Sequence, residues 1–242
     1  MKLSPLPRSF FSRDPRRVAR ELLGKRLIRN RGKKVLAGRI VEVEAYLGAG
    51  DPAAHAAAGL TERNRVLFGP PGHAYVYFIY GNHFCLNVSC QPEGKAGCVL
   101  FRALEPIAGL EEMARARGLI KSVGRRFFGG ARLGSSGLQL RVAKQSCRSG
   151  IEEQAALAAE VTLVGKRQLT TGPGRLCQAM GITRARDNGK DLTSPRSGLW
   201  LADDGFRPRR ILRTPRVGIK RAAARLLRYT IAGNPCVSAK NR

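Results

Sequence analysis

The sequence predicts an α+β fold, with a curved, mostly antiparallel sheet, a protruding β-hairpin and surrounding helices. Its 242 residues suffice for one sizeable core and 43% of them are hydrophobic, so we expect a single domain over 1–242. Strand-like and helix-like segments alternate along the chain, a pattern that a doubly wound parallel sheet would also give. The tight turn Gly81-Asn82 between two strands requires antiparallel pairing, which favours the α+β fold.

Helix caps and turn residues mark the individual elements. Asp14-Pro15 has the pattern of an N-cap followed by a first-turn proline, and Gly24 ends the helix. A Gly-Asn pair at 81–82 suits a two-residue hairpin loop with a type II′ turn. The predicted elements are a helix over 16–23, strands over 26–29 and 35–47, a loop or short helix over 48–59, a hairpin over 74–90, a strand over 97–104, helices around 110–117 and 169–181, and two strands flanking a basic segment over 211–238.

The charge balance indicates a polyanionic partner. Lys and Arg total 44 against 17 Asp and Glu, which gives a net charge of +27 and a pI near 11.2. No acidic residue lies between Glu112 and Glu152 or after Asp204, so we expect two positive surfaces. Nucleic acid is the expected partner. The alternatives are a merely basic protein and an anionic lipid surface, but no basic amphipathic membrane helix accompanies the charge.

The segment over 118–165 differs from the rest of the chain. Glycine, serine and scattered arginine dominate its first part, and an alanine-rich stretch follows over 151–161. We therefore expect a flexible basic insertion within the domain.

The six cysteines show no close spacing of the zinc type. The N-terminus has no secretory apolar stretch, so we expect reduced thiols in a cytoplasmic protein. Cys85 and Cys90 are five positions apart and would face opposite sides of one strand. No apolar run is long enough to span a membrane.

Two carboxylates on one strand are the first candidates for chemistry. Glu42, Glu44 and Tyr46 alternate along the strand and share one face. Carboxylates are disfavoured in strands, so two on one face need a reason. Pairing with nearby arginines would explain either, and it explains Glu42 as well as a function would. Glu44 lies nearer the strand end, where a cleft could open, and a carboxylate beside an aromatic ring suits a general base.

The hairpin carries a cluster of aromatic residues. Tyr75, Tyr77 and Tyr80 are three of the chain's five tyrosines, and His83 follows them closely. Aromatic residues favour strands and could simply pack the core. That explanation fits Tyr80 poorly, because a hairpin tip is usually exposed. An exposed aromatic side chain on a basic protein suits insertion into a base stack.

Several unrelated motifs occur in a recognisable order along most of 13–117 and 168–200. They are Val41-Glu-Val-Glu-Ala-Tyr-Leu-Gly48 with His55, Thr61-Glu-Arg-Asn-Arg65, Tyr75-Val-Tyr-Phe-Ile-Tyr-Gly81, Cys98-Val-Leu-Phe-Arg-Ala-Leu-Glu-Pro106 and Thr171-Gly-Pro-Gly-Arg-Leu-Cys-Gln-Ala179, with weaker matches at Arg216-Val-Gly218 and Gly233-Asn-Pro235. In this order they resemble the alkyladenine (3-methyladenine) DNA glycosylase family, the alkylpurine glycosylases of base excision repair.

The resemblance implies a role for each candidate residue. Glu44 falls on the position that activates water to attack the anomeric carbon of the sugar. Tyr80 falls on the residue that fills the hole left in the duplex by the flipped nucleotide. The implied base pocket comprises Tyr46, His55 and Tyr77, which stack on and hydrogen-bond the base, Asn87, which helps to exclude unmodified guanine, and Arg102, which supports the flipped nucleotide.

Contacts to the DNA backbone are expected at two further places. Gly174 and Arg175 lie at the start of a helix and could hold a phosphate, although an ordinary helix start explains them equally well. Lys220 and Arg221 could follow the backbone, where a solvated basic face is the default explanation. Asn82 and His83 are also expected at the backbone, and they replace the bulkier side chains sometimes found beside the intercalating residue in the family.

The resemblance implies an enzyme that hydrolyses N-glycosyl bonds in double-stranded DNA with damaged purines. Nothing marks a catalytic lysine in the matched pocket, so we expect a monofunctional glycosylase that does not cleave the strand. We also expect that the reaction needs no metal and no organic cofactor. We expect a monomer that is not bound to a membrane, in a bacterial cytoplasm, or in a nucleus or organelle if the source is eukaryotic. The alternative is a non-catalytic nucleic-acid-binding protein.

Overall fold

The computed structural model describes residues 3–79, 81–120, 165 and 169–238. Within these residues nine strands form one sheet. The strands are β1 (Ser4–Pro5), β2 (Arg26–Arg31), β3 (Lys34–Tyr46), β4 (Ala74–Ile79), β5 (His83–Cys90), β6 (Gly97–Ala108), β7 (Leu199–Asp203), β8 (Ile211–Thr214) and β9 (Arg228–Ile231). The helices are α1 (Arg8–Phe11), α2 (Pro15–Leu22), α3 (Leu110–Ala116), α4 (Pro173–Ala179) and α5 (Arg184–Asp187), with 3-10 helices at His55–Ala58, Arg65–Leu67 and Pro195–Ser197.

The strands follow the order β1-β7-β2-β3-β6-β5-β4, and β9 pairs with both β3 and β8. Every strand pairing in the described part of the chain is antiparallel. The predicted α+β fold is thereby confirmed. The hairpin of β4 and β5 forms one edge of the sheet.

Strand β3 is the centre of the sheet and carries the two candidate carboxylates. Its first half pairs with β2, its second half pairs with β9, and β6 runs along its other edge. The register between β3 and β6 shifts around Ile40, Glu42 and Val43. Such bulges bend a strand and increase its twist. The bent second half of β3 brings Glu42 and Glu44 between β6 and β9.

The hydrophobic core lies between the sheet and the helices. Helix α2 packs on β3 through its buried face, and α4 packs on β5 and β6. Full burial of a large apolar side chain stabilises a fold by about 1.5–3 kcal/mol. Phe11, Phe101 and Tyr229 are among the largest side chains buried in this way. The helix predicted over 16–23 begins at Pro15, and the Asp14 carboxylate accepts a hydrogen bond from the Arg16 N–H at 2.8 Å, as an N-cap should.

The hairpin turn differs from the prediction. Ile79 pairs with His83, so three residues, 80–82, connect the strands, and the prediction of a two-residue loop is wrong. The Ile79 carbonyl accepts a hydrogen bond from the Asn82 N–H at 3.3 Å, which closes a four-residue turn. Gly81 in that turn has a φ of +71°, a conformation that glycine adopts without the steric cost that a side chain would add.

Other boundaries are also corrected. Strand β6 continues past residue 104 to Ala108, because the register beside Pro106 shifts and tolerates a residue without an N–H. Helix α4 is shorter than the predicted segment over 169–181. Strands β1 and β7 were not predicted from the sequence.

The predicted insertion over 118–165 falls almost entirely outside the described residues, so its place within one domain stays a prediction. None of the helices in the described ranges has the length and apolarity needed to cross a bilayer.

Candidate active site

A cavity of about 370 Å³ opens between the second half of β3, the hairpin, β6 and the loop that joins β8 to β9. This size is typical of sites for small organic groups. Most of its wall is aromatic or apolar, with a few polar groups directed into it. The residues that line it are Tyr46, Ala53, His55, Tyr75, Tyr77, Ile79, Cys85, Asn87, Cys98, Leu100, Arg102, Pro173, Val217, Gly218 and Ile219.

Glu44 lies directly behind the cavity wall and is fully buried. Its Oε1 accepts a hydrogen bond from the Val217 N–H at 2.7 Å and lies 3.2 Å from Nη1 of Arg102. Its Oε2 accepts a hydrogen bond from the Tyr46 hydroxyl at 2.9 Å. Glu44 does not itself line the cavity, but these three partners do. Burial raises the pKa of Glu44, and the charge of Arg102 offsets this only in part. A carboxylate with a raised pKa is a stronger base.

Glu42 is equally buried but differs in its partners. Its Oε1 accepts hydrogen bonds from Nε of Arg102 at 2.8 Å and Nε of Arg228 at 2.7 Å. The main chain and hydroxyl of Ser238 donate two more, each at 2.7 Å. Burial favours the neutral acid, but these donors outweigh it and lower the pKa of Glu42. The lowered pKa favours the charged form of Glu42, which anchors two arginines, whereas Glu44 is the carboxylate suited to exchange a proton.

Three aromatic side chains form one end of the cavity. Nδ1 of His55 lies 2.9 Å from the Tyr75 hydroxyl, and its ring centroid lies 4.5 Å from that of Tyr77. Partial burial and the charge of Arg63 both lower the pKa of His55, so the imidazole is neutral at pH 7. Burial raises the pKa of Tyr77, which keeps its hydroxyl protonated. This end of the cavity offers ring faces and neutral hydrogen-bonding groups.

Asn87 lies on β5 beside the aromatic end, and its orientation is fixed by neighbours. Its Nδ2 donates a hydrogen bond to the Tyr75 carbonyl at 3.2 Å. Its Oδ1 accepts one from the Cys98 thiol at 3.8 Å. Burial raises the pKa of Cys98 to about 12, so the thiol stays protonated and can donate. Asn87 thus presents a fixed amide to whatever enters the cavity.

The structure brings the predicted pocket residues together in one cavity, namely Tyr46, His55, Tyr77, Asn87 and Arg102. Tyr80, predicted to intercalate, lies outside the described residues. Cys85 lines the cavity whereas Cys90 is buried in the main core, so they face opposite sides as predicted.

The predicted backbone-binding residues lie around the cavity. Asn82, His83 and Gly174 line a second cavity of about 270 Å³ between the hairpin and α4. A Cβ at Gly174 would lie 3.0 Å from the His83 ring, so glycine permits this close approach. Arg175 is exposed beside it. Lys220 and Arg221 are exposed and directly follow the cavity residue Ile219.

Comparison with known proteins identifies the family of the chain. The family model described as methylpurine-DNA glycosylase matches residues 9–235. The chain belongs to the methylpurine-DNA glycosylase family. A Koribacter versatilis protein named "Putative 3-methyladenine DNA glycosylase" is 54% identical over 99% of this chain and 95% of its own length. Proteins with the same name from Burkholderia cenocepacia and Methanocella arvoryzae are 41% and 39% identical, each over 96% of this chain and over 90% and 95% of their own lengths. The predicted family is confirmed.

Several residues around the cavity were not predicted from the sequence. Val217 contributes only a main-chain N–H, which no side-chain pattern reveals. Asp51 and Arg216 form a buried ion pair beside Tyr46. Asp51 stands four positions before His55, and Arg216 begins one of the weaker motif matches, so both signals were present but unassigned. Among the described residues no cluster of His, Cys, Asp or Glu could hold a metal ion, and independence from metals stays a prediction.

Proposed function

We propose that this protein is a monofunctional DNA glycosylase of base excision repair. It binds duplex DNA, flips a damaged purine of the 3-methyladenine type into the 370 Å³ cavity and hydrolyses the N-glycosidic bond, leaving an abasic site. The observation that carries the proposal is Glu44, a buried carboxylate with a raised pKa, held behind the wall of an aromatic cavity on a strongly basic protein.

In the proposed reaction Glu44 acts as the general base. A water molecule in the cavity gives a proton to the Glu44 carboxylate while the oxygen of the water forms a bond to the anomeric carbon of the sugar. The bond from that carbon to the purine nitrogen breaks, and its electron pair leaves with the base. The negative charge of Glu44 also stabilises the oxocarbenium-like transition state. General-base assistance of this kind contributes typically about 10²–10⁴-fold to a rate.

The donors around Glu44 support this role. The Val217 N–H and the Tyr46 hydroxyl hold the two carboxylate oxygens in a fixed orientation. Arg102 lines the cavity and lies beside Glu44, and we propose that its guanidinium supports the flipped nucleotide and the attacking water. Fixed groups that need no reorganisation during reaction are the main source of electrostatic catalysis.

The aromatic end of the cavity accounts for damage selection. A purine alkylated on a ring nitrogen can carry a positive charge, which the ring faces of Tyr46 and Tyr77 attract. The neutral His55 avoids repulsion of such a base. The fixed amide of Asn87 restricts which purine edge fits, and we propose that it excludes unmodified guanine. A damaged base is also easier to unstack and flip.

We propose that the protein binds DNA as a monomer, through the surface around the cavity. We propose that Tyr80 fills the gap in the duplex and that six residues contact the backbone, namely Asn82, His83, Gly174, Arg175, Lys220 and Arg221. With a net charge of +27, affinity for DNA should fall steeply with added salt because counterions are released on binding. The proposed location is the cytoplasm of a bacterium, in association with DNA.

A base-release assay tests the proposed function. The purified protein is incubated with three duplexes that contain an alkylated purine, hypoxanthine or an etheno adduct, and free base is separated chromatographically. We expect free base from at least one duplex, with strand breakage only after alkali. Tight binding to undamaged nucleic acid without release from any duplex would contradict the proposal and favour a non-catalytic binding protein.

Tyr80→Ala is expected to weaken binding to a lesion duplex more than binding to the corresponding single strand. Stacking of a base on an aromatic side chain is worth about 1–3 kcal/mol, and the gap that Tyr80 fills exists only in a duplex. Titrations of both substrates measure the difference. Phe78→Ala is the matched control, because Phe78 is an exposed aromatic residue on the same hairpin. Equal loss on duplex and single strand would rule out the intercalating role.

A further inference from the structure

The buried ion pair of Asp51 and Arg216 has no assigned role. Both side chains are 0% exposed. Nη1 and Nη2 of Arg216 donate hydrogen bonds to the two carboxylate oxygens of Asp51 at 2.5 and 2.8 Å. The carboxylate also accepts hydrogen bonds from the Leu47 and Ala53 N–H groups at 3.2 and 3.3 Å. The pair is thus fixed in position on the carboxylate side by two main-chain donors.

The ion pair joins three segments that build the site. Asp51 belongs to the loop between β3 and His55. Arg216 belongs to the loop between β8 and β9, and its Nη1 donates a second hydrogen bond to the Ala45 carbonyl on β3 at 3.1 Å. The Arg216 guanidinium carbon also lies 4.6 Å from the centroid of the Tyr46 ring. One guanidinium therefore contacts both residues that follow Glu44 in the strand.

The position of Arg216 determines where the next residue lies. Val217 donates its N–H to Oε1 of Glu44 at 2.7 Å, and a main-chain N–H cannot move independently of the adjacent residue. If the guanidinium shifts, this donor and the Tyr46 ring shift with it. An error of about 1 Å in the placement of a catalytic group can cost about 10²-fold in rate.

Stability alone explains the pair poorly. The desolvation of two charges often cancels their attraction, so a buried ion pair contributes little compared with apolar residues of the same size. Nε of Arg216 is buried and has no hydrogen-bond partner among the described residues, which adds a further cost.

We infer that Asp51 and Arg216 are positioning residues, which place the Val217 N–H and the Tyr46 ring so that Glu44 is held for water activation. This inference rests on the proposed glycosylase function. The pair does not touch the substrate. It acts through the donor on Glu44 and through the ring in the cavity wall.

The charged and titratable groups around Glu44 come from four elements. Glu42 and Tyr46 lie on β3, Cys85 on β5, Arg102 on β6 and Arg216 on the loop between β8 and β9. Substitutions that keep the charges of the pair leave this set unchanged. A change in the pH profile of such a variant therefore reports displaced hydrogen-bond donors.

Two charge-conserving variants, Arg216→Lys and Asp51→Glu, test the inference. Arg216→Lys replaces the guanidinium by an ammonium group, and Asp51→Glu lengthens the side chain that holds the guanidinium. Neither variant changes the net charge. We expect single-turnover base release at pH 7 to fall about tenfold or more, with lesion-duplex binding retained. We also expect the acid limb of the pH profile to move to higher pH, because loss of the Val217 N–H disfavours the ionised form of Glu44.

The matched control is Arg29→Lys. Arg29 and Asp187 form a buried bidentate pair with side chains 4% and 0% exposed, and Nε of Arg29 also has no partner among the described residues. Neither residue lines the cavity. This variant should lose stability without a change in the pH profile or in the rate of the folded protein.

Wild-type rates and an unmoved acid limb in Arg216→Lys and Asp51→Glu would overturn the inference. So would unfolding of both variants, which would assign the pair to stability. Failure of the proposed function would look different, because the wild-type protein would then release no base from any lesion duplex.

Discussion

Glu44→Gln is expected to slow single-turnover base release by about 10²–10⁴-fold, the usual contribution of a general base. Glutamine has the same shape, and its amide oxygen can still accept the hydrogen bond from Val217 or Tyr46. It cannot accept a proton from water or supply a negative charge to the transition state. Affinity for a lesion duplex should stay near the wild-type value, since Glu44 is buried behind the cavity wall.

The rate is measured as release of free base from a duplex with one lesion, with protein in excess. A titration of the same duplex measures the affinity. Glu105→Gln is the control, because Glu105 lies on β6 outside the cavity. This substitution removes the same charge from the sheet as Glu44→Gln does. It should release base at the wild-type rate. Joint loss of binding and release in Glu44→Gln would assign Glu44 to structure.

Gly48→Ala is expected to have the largest effect on stability, a loss of roughly 3 kcal/mol or more in the free energy of unfolding. Gly48 has a φ of +87°, a conformation that costs an L side chain about 1–2 kcal/mol. A Cβ there would lie 1.7 Å from the Ala96 carbonyl oxygen, so the backbone must move. Gly48 lies between Tyr46 and Asp51, and the movement should also reduce base release.

Chemical denaturation of Gly48→Ala beside Gly50→Ala measures this effect. Gly50 lies in the same loop, but it is not one of the described glycines that have a positive φ. No heavy atom lies within 4 Å of the Cβ that alanine would add there. Gly50→Ala should change the free energy of unfolding by less than about 0.5 kcal/mol. Similar losses in both variants would show that the close contact at Gly48 is not what fixes the loop.

Local patterns in the sequence predict much of this fold. Alternation along β3 places Glu42, Glu44 and Tyr46 on one face, and the Tyr46 hydroxyl does reach Glu44. The Asp14-Pro15 pair begins a helix as its cap chemistry requires. These predictions succeed because the interacting groups lie within a few residues of each other.

Contacts distant in sequence could not be predicted from local patterns. The donor that holds Glu44 lies 173 positions away, at Val217, and Arg216 lies 165 positions from Asp51. The pKa values of Glu42 and Glu44 shift in opposite directions because Arg228 and Ser238 donate hydrogen bonds to Glu42. Strand β9 and the segment after it bring these two donors to Glu42. Strand β7 was missed because its partners β1 and β2 lie far from it in the chain.

The pH dependence of base release tests most directly whether Glu44 is the general base. The ionised carboxylate is the active form and burial raises its pKa, so the wild-type rate should rise with pH through a midpoint above 4.5, the usual value for glutamate. His55 has a lowered pKa and stays neutral over the upper part of the range.

Single-turnover rates of wild type and Glu44→Gln are measured on the same lesion duplex from about pH 4 to 8, which brackets the usual glutamate and histidine pKa values. Protonation of the substrate then contributes equally to both proteins. We predict an acid limb for the wild type and its absence from the residual activity of Glu44→Gln. The same limb in both proteins, or a wild-type rate for Glu44→Gln, would contradict the proposed role of Glu44.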